Sequence, residues 1–145
     1  MKPEQKEDIA RLLESRTHDI FDAVDCRNFD PDSPIWSYLA NDIVIETELF
    51  GQLEKQTKET WLKYLRVLFT ENPDMRNHIT SMETKVSENA AWAETFSTLE
   101  TTGIAMIPGV KKDTLAIYTW RKLNGRWVIV KTKSISGLDH ANYVP

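Results

Sequence analysis

The chain has 145 residues, of which 41% are hydrophobic and 28% are charged, with a formal net charge of −4. This length favours one domain over residues 1–145 with a single buried core. The composition excludes a disordered tail, a collagen-like fibre and a coiled coil. Because no basic stripe is present, nucleic acid is excluded as an expected partner, and a small uncharged or weakly acidic ligand fits better.

Cysteine and histidine usage limits the metal and redox chemistry. Cys26 is the only cysteine, which rules out an internal disulfide, and we expect it to be a buried, unreactive thiol. The three histidines form no H-x-x-x-H pair, so we expect no metal site. The charged N-terminus does not resemble a secretory signal, and no apolar run approaches the ~20 residues that span a bilayer. We therefore expect a soluble cytoplasmic protein with no membrane contact.

The first half of the chain carries helical patterns. Pro3 suits the first turn of a helix, and apolar residues recur at helical spacing over residues 9–24. Ser33 followed by Pro34 predicts the start of a short second helix. Thr57 predicts the cap of a third helix, whose apolar stripe consists of Trp61, Tyr64, Leu65, Leu68 and Phe69.

The second half of the chain carries strand patterns. A short β-rich run covers residues 42–48, and longer strands are predicted over residues 76–87, 91–104, 114–122 and 127–135. Asn124-Gly125 predicts a tight hairpin turn between the last two strands. Helices followed by an antiparallel meander predict an α+β fold. In this fold a cone-shaped, curved mixed sheet wraps around about three N-terminal helices, with a ligand between them.

Five segments carry a pattern in a fixed order: FDAVD (residues 21–25), YLANDIV (38–44), NHIT (77–80), VSENAAWA (86–93) and WRKLNGRW (120–127). Over about residues 5–137 they resemble the SnoaL-like polyketide cyclases of the nuclear transport factor 2-like superfamily. The resemblance implies a cone-shaped α+β fold that is often dimeric through its sheet. It also implies an apolar pocket in which acid/base residues catalyse cyclisation, isomerisation or dehydration.

His78 is the first catalytic candidate. The resemblance implies a histidine on this strand, as in scytalone dehydratase and many SnoaL-like chains, and strand parity predicts that it points into the cone. An imidazole titrates near neutral pH and can act as a general acid or base. The alternative is a partly exposed strand histidine.

The other catalytic candidates are two phenols and three carboxylates. Tyr64 or Tyr118 could polarise a substrate carbonyl, although core packing is the alternative. A carboxylate in a dry cone would have a raised pKa and could act as an acid, which makes Glu46, Glu94 and Asp113 candidates. Alternation instead favours the outer face for Glu46 and Glu94, and a solvated loop for Asp113.

Strand alternation also predicts which residues line the pocket. The predicted inward set is Ile45, Thr47, His78, Thr80, Met82, Thr95, Ser97, Leu99, Val130, Thr132 and Ser134. Trp36, Trp61 and Phe69 are either pocket walls or core, because helical spacing alone does not separate the two. Such a cavity suits an apolar, polyketide-like or terpenoid-like ligand with a few oxygens.

The same alternation predicts an apolar outer face. Trp92, Phe96, Trp127 and Ile129 would lie there and would expose a large apolar area, which predicts a homodimer through this face.

We therefore expect a small, cofactor-independent enzyme of secondary metabolism. It would act as a cyclase, isomerase or dehydratase by proton transfer on a carbonyl compound. The superfamily includes a steroid isomerase, and its acid/base positions fall on unsuitable residues of this chain, such as Thr47. This mismatch favours a second possible function. That alternative is a non-catalytic SnoaL-like module that binds a small molecule or dimerises.

Overall fold

The computed structural model describes residues 2–49 and 52–139. Within these ranges lie two α-helices, one short 3₁₀ helix and six β-strands, so the three predicted helical segments are present. None of these helices is long and apolar enough to span a membrane. In chain order the elements are α1 (Pro3–Asp25), the 3₁₀ helix (Pro34–Tyr38), β1 (Leu39–Leu49), β2 (Gln52–Gln56), α2 (Lys58–Glu71), β3 (Arg76–Val86), β4 (Trp92–Thr102), β5 (Lys112–Leu123) and β6 (Arg126–Asp139).

The strands form one sheet in the order β2-β1-β6-β5-β4-β3. All neighbours are antiparallel except β1 and β6, which are parallel, so the predicted mixed sheet is confirmed. Strand β2 was not predicted, because its mostly polar residues read as a connection. It pairs with the end of β1 at the edge of the sheet, where polar side chains are ordinary.

Both α-helices pack on the same side of the sheet. The buried face of α1 includes Leu13 and Ile20, and that of α2 includes Leu62 and Phe69, at the spacing that the sequence shows. Helix α1 lies against β3 and β4, and α2 lies against β1. We call the covered side of the sheet the concave face and the opposite side the outer face.

Local side-chain chemistry fixes where the elements begin and end. The Thr57 hydroxyl accepts a hydrogen bond from the Thr60 backbone N–H at 3.2 Å, so the predicted cap of α2 is confirmed. Asn124 and Gly125 have φ values of 52° and 77°, as a two-residue hairpin turn requires. Asn72 follows the last residue of α2, and its side-chain oxygen accepts a hydrogen bond from the Ala105 backbone N–H at 2.8 Å. The rim, as we call it, is the end of the sheet where α1 and α2 end and β3 begins.

Candidate active site

Tyr118 lies in the middle of the concave face, in a row of neighbours that crosses four strands. Thr95 of β4 is opposite Tyr118 on one side, and Thr132 of β6 is opposite it on the other. Ile45 of β1 pairs in turn with Thr132. Each of these four residues is at most 7% exposed. The row therefore brings a phenol and two threonine hydroxyls together in an apolar interior.

The Tyr118 phenol is a hydrogen-bond donor on the concave face, in a residue that is 6% exposed. Its ring stacks on Phe21 of α1, with ring centroids 5.8 Å apart and planes at 20°. Burial raises the pKa of the Tyr118 phenol well above its ordinary value, so the group is neutral and keeps its proton. Burial is the sole cause of that shift, and no side chain in the described ranges hydrogen-bonds this hydroxyl. The neighbouring Thr95 hydroxyl, in contrast, accepts from the Trp120 indole N–H at 3.0 Å.

The next row towards the rim is made of small side chains. Ser97, Ala116, Ser134 and Thr47 follow one another across β4, β5, β6 and β1. Ser97 and Ala116 are buried, whereas Ser134 and Thr47 are half-buried. Four adjacent positions of the concave face thus carry short side chains. A ligand that enters from the rim would meet this row before it meets the Tyr118 hydroxyl.

The helical wall combines core residues with more accessible ones. Trp36, in the 3₁₀ helix, is fully buried and packs edge-on against Trp61 of α2, with ring centroids 5.6 Å apart. Phe69 is buried and packs on Phe29. Trp61 and Tyr64 are half-buried on one side of α2, one turn apart. Among the sequence-predicted wall residues, Trp36 and Phe69 thus belong to the core, and Trp61 retains an accessible surface.

Asp25 is a carboxylate that the sequence-based reasoning missed. It is the last residue of α1 and lies one turn after Phe21, the residue that stacks on Tyr118. Desolvation raises the pKa of the Asp25 carboxyl, although the Asn77 backbone N–H, which donates to it at 3.4 Å, and the nearby Arg27 act in the opposite direction. The available signal was the four-residue spacing between Phe21 and Asp25.

Strand β3 contains a β-bulge that alternation could not predict. Ile79 pairs with Leu99 and Ser81 pairs with Thr98, so Thr80 is an extra residue. The hydroxyls of Thr80 and Ser81 both contact the Thr98 hydroxyl, at 2.6 and 2.5 Å. The extra residue reverses the inward and outward positions on the two sides of the bulge.

The bulge places His78 outside the cone. His78 and Thr80 are exposed on the outer face, where His78 lies opposite Glu100. Ile79 and Met82 are the half-buried residues of β3 that face the interior on either side of the bulge. The prediction that His78 and Thr80 point inward is therefore wrong, and His78 does not reach the row of Tyr118.

The predicted carboxylates are also away from the concave face. Glu46 points to the outer face, where its Oε1 lies 3.6 Å from the Lys131 ammonium. Glu94 is half-buried on the outer face, between Lys85 of β3 and Thr119 of β5. Asp113 lies opposite Glu100 at the start of β5 and lines a surface groove of about 360 Å³. None of the three shares the interior with Tyr118.

A second β-bulge, on β6, changes which residues of this strand lie on the outer face. On β6, Ile129 pairs with Trp120 and Lys131 pairs with Thr119, so Val130 is the extra residue. Trp127 and Ile129 are consequently 5% and 0% exposed in the core. The prediction that they lie on the outer face is wrong. Val130, which was predicted to point inward, is half-buried and packs against the core.

The described ranges show no metal centre. No group of three or more histidine, cysteine, aspartate or glutamate side chains in residues 2–49 and 52–139 could hold a metal ion. Cys26, directly after α1, is exposed, so the expected buried thiol is wrong. A second surface groove, of about 510 Å³, lies beside the β5–β6 hairpin and includes Asp42, Lys58 and Arg126. It is separate from the concave face.

No protein-family model matches the sequence, and no curated protein matches it either. Solved structures, however, share its fold. The structure is similar to hexachlorocyclohexane dehydrochlorinase from Novosphingobium barchaimii, with a TM-score of 0.71, 16% identity, and coverage of 91% of this chain and 92% of that one. It is also similar to a candidate scytalone dehydratase from Novosphingobium aromaticivorans, with a TM-score of 0.68, 12% identity, and coverage of 93% and 88%.

A third similar structure spans nearly all of the chain. An NTF2-like protein of unknown function from Pseudomonas putida has a TM-score of 0.68 and 16% identity, and the match covers 99% of this chain and 94% of that one. Identities this low establish architecture and leave activity open, because one fold hosts many functions. The chain therefore has a cystatin-like, nuclear transport factor 2-like α+β fold.

Proposed function

We propose that this protein is a small enzyme that moves a proton on an apolar carbonyl compound bound against the concave face. The observation that carries the proposal is the hydroxyl of Tyr118, a residue that is 6% exposed; this hydroxyl has no hydrogen-bond partner among the described side chains and adjoins the row of small residues. A donor that is largely shielded from water is suited to a carbonyl oxygen, since this partner satisfies the donor in a nearly dry site.

The proton acceptor in this proposal is Asp25. Tyr118 donates its hydrogen bond to the carbonyl oxygen, and the Asp25 carboxylate takes a proton from the neighbouring carbon. The electrons of the broken C–H bond form a carbon–carbon double bond, while the carbonyl electrons move onto oxygen. In a ketone with a β,γ double bond, return of the proton from Asp25 to the γ carbon moves the double bond and isomerises the compound. In a β-hydroxyketone, the same proton joins the departing hydroxyl group, which leaves as water. The raised pKa of Asp25 favours this role, because a stronger base removes such a proton more readily near neutral pH.

The substrate class follows from the lining. The concave face combines aromatic and aliphatic side chains with isolated hydroxyls, among them Thr47, Ser97, Thr132 and Ser134. This supports a ring compound with a few oxygens, such as a polyketide-like or terpenoid-like ketone of secondary metabolism. The phenol and the carboxylate suffice for proton transfer, so the proposed reaction is independent of a cofactor.

Hydrogen–deuterium exchange tests the proposal without the natural substrate. 1-Tetralone in D₂O exchanges the protons next to its carbonyl, and NMR follows their loss. We expect the protein to accelerate this exchange, and Tyr118→Phe to reduce the acceleration by roughly 10²-fold, as for loss of one oxyanion donor. Tyr38→Phe is the matched control, because Tyr38 lies under the Arg16 guanidinium instead of in the row of Tyr118. Equal exchange by the two phenylalanine variants would refute the proposal.

A non-catalytic binding module is the second candidate. It is favoured by the outward position of His78, which leaves the partly exposed Asp25 as the proposed base. The infrared carbonyl band of 1-tetralone separates the two functions. A shift to lower frequency that depends on Tyr118, without accelerated exchange, indicates binding alone.

We further propose that the protein forms a homodimer through its outer face. Trp92 is 41% exposed there, and Phe96 and Ile117 are half-buried in adjacent strands. Glu94 and Lys131 lie in one row, on either side of β5. A twofold axis along β5 would place the Glu94 of one subunit over the Lys131 of the other. This charge arrangement is therefore self-complementary and supports an isologous interface.

A further inference from the structure

Trp36 carries a buried donor that the fold leaves without an acceptor. Its side chain is 0% exposed, and its Nε1 has no hydrogen-bond partner. It is alone in this respect among the buried side-chain nitrogen and oxygen atoms of residues 2–49 and 52–139. Buried polar groups in native proteins are nearly always hydrogen-bonded, so such an exception needs an explanation. The indole of Trp120 shows the ordinary arrangement, since its N–H donates to the Thr95 hydroxyl at 3.0 Å.

The position of Trp36 connects it with the row of Tyr118. Leu39, three residues after Trp36, pairs with Ile129 of β6, and Ile129 pairs with Trp120 of β5. Tyr118 is the next inward residue of β5 after Trp120, because alternate residues share a face. Trp36 thus enters the core beside the row that contains Ile129 and Trp120. That row is next to the row of Tyr118, on the side away from the rim.

We infer that the Trp36 indole N–H is the second hydrogen-bond donor of the ligand site. This inference rests on the proposed function. A ligand whose carbonyl oxygen accepts from Tyr118 would place a second oxygen deeper in the cone, where it accepts from Trp36 Nε1. The ligand class is therefore an apolar ring with two oxygens on opposite sides, such as a hydroxyketone. A ligand with one oxygen would leave a buried donor unpaired and would bind less tightly.

Two matched ketones test this assignment on the full chain. 4-Hydroxy-1-tetralone carries the second oxygen across the ring from the carbonyl, and 1-tetralone lacks it. We expect the hydroxyketone to bind about tenfold more tightly than 1-tetralone, and the ratio to fall to about one in Trp36→Phe. Trp92→Phe is the control, since Trp92 lies on the outer face, and it should keep the wild-type ratio.

NMR of protein with ¹⁵N-labelled tryptophan gives a second readout that does not depend on the folding of a variant. The Trp36 indole signal of the wild-type protein should shift with 4-hydroxy-1-tetralone and remain in place with 1-tetralone. The inference is overturned if the binding ratio survives in Trp36→Phe. It is also overturned if the indole proton contacts a water molecule that both ketones leave in place.

The two ketones separate a failure of this inference from a failure of the proposed function. If the protein accelerates the exchange of 1-tetralone and Tyr118→Phe reduces that acceleration, the proposed function stands even where the Trp36 result is negative. If neither ketone binds, the proposed function and this inference both fall.

Discussion

Replacement of Tyr118 with phenylalanine should stabilise the folded protein while it abolishes the hydrogen bond to a ligand. The variant keeps the ring that stacks on Phe21 at 5.8 Å and removes only the oxygen. A hydroxyl that is completely removed from water without a hydrogen-bond partner costs about 1–3 kcal/mol of folding free energy, and an incompletely buried one costs less. Because Tyr118 is 6% exposed, we take the lower end of that range and expect a gain of about 1 kcal/mol. For a chain of this length the gain corresponds to a rise in Tm of about 3 °C.

Urea unfolding followed by circular dichroism measures this change, and a thermal scan gives the Tm. The matched comparison is Thr95→Val in the same row, where the hydroxyl accepts from Trp120 and contacts the Thr84 hydroxyl at 2.8 Å. That variant leaves the Trp120 N–H unpaired and should lose about 1–3 kcal/mol. A loss of stability of 1 kcal/mol or more in Tyr118→Phe would show that the phenol has a partner in the free protein, and would refute the reasoning.

The remaining predictions concern charge and position. Because folding raises the pKa of Asp25, ionisation of this carboxyl lowers the stability of the folded protein above its unfolded pKa. Asp25→Asn should therefore be more stable than the wild type at pH 7, by well under 1 kcal/mol for a partly exposed group, and should lose this gain near pH 3. Urea unfolding at the two pH values measures the difference. His78→Gln should change the rate of 1-tetralone hydrogen–deuterium exchange by less than about twofold. A loss of about 10²-fold or more would show that the His78 imidazole takes part in proton transfer. Glu94→Lys should weaken the homodimer about tenfold in sedimentation equilibrium, and adding Lys131→Glu should restore it; unchanged association in the single variant would exclude this interface.

The sequence by itself determined the elements, because the signals for them are local. The helical stripes of α1 and α2, the Thr57 cap and the Asn124-Gly125 turn all depend on residues a few positions apart, and the structure has them where these patterns indicate. The order of helices and strands was enough to predict the α+β cone. The short strand β2 was not predicted, because its own residues carry no strand pattern and it becomes a strand by pairing with the end of β1.

Only the tertiary structure decided which side chains share the interior. A strand's alternation can be counted from its sequence, but an extra residue is defined only against the partner strand. The bulges at Thr80 and Val130 therefore moved His78 out of the cone and brought Trp127 and Ile129 into the core. The proximity of α1 to β5 and the unpaired Trp36 N–H likewise arise from packing between distant segments. The candidate site consists of such non-local contacts, whereas the fold could be predicted from local ones.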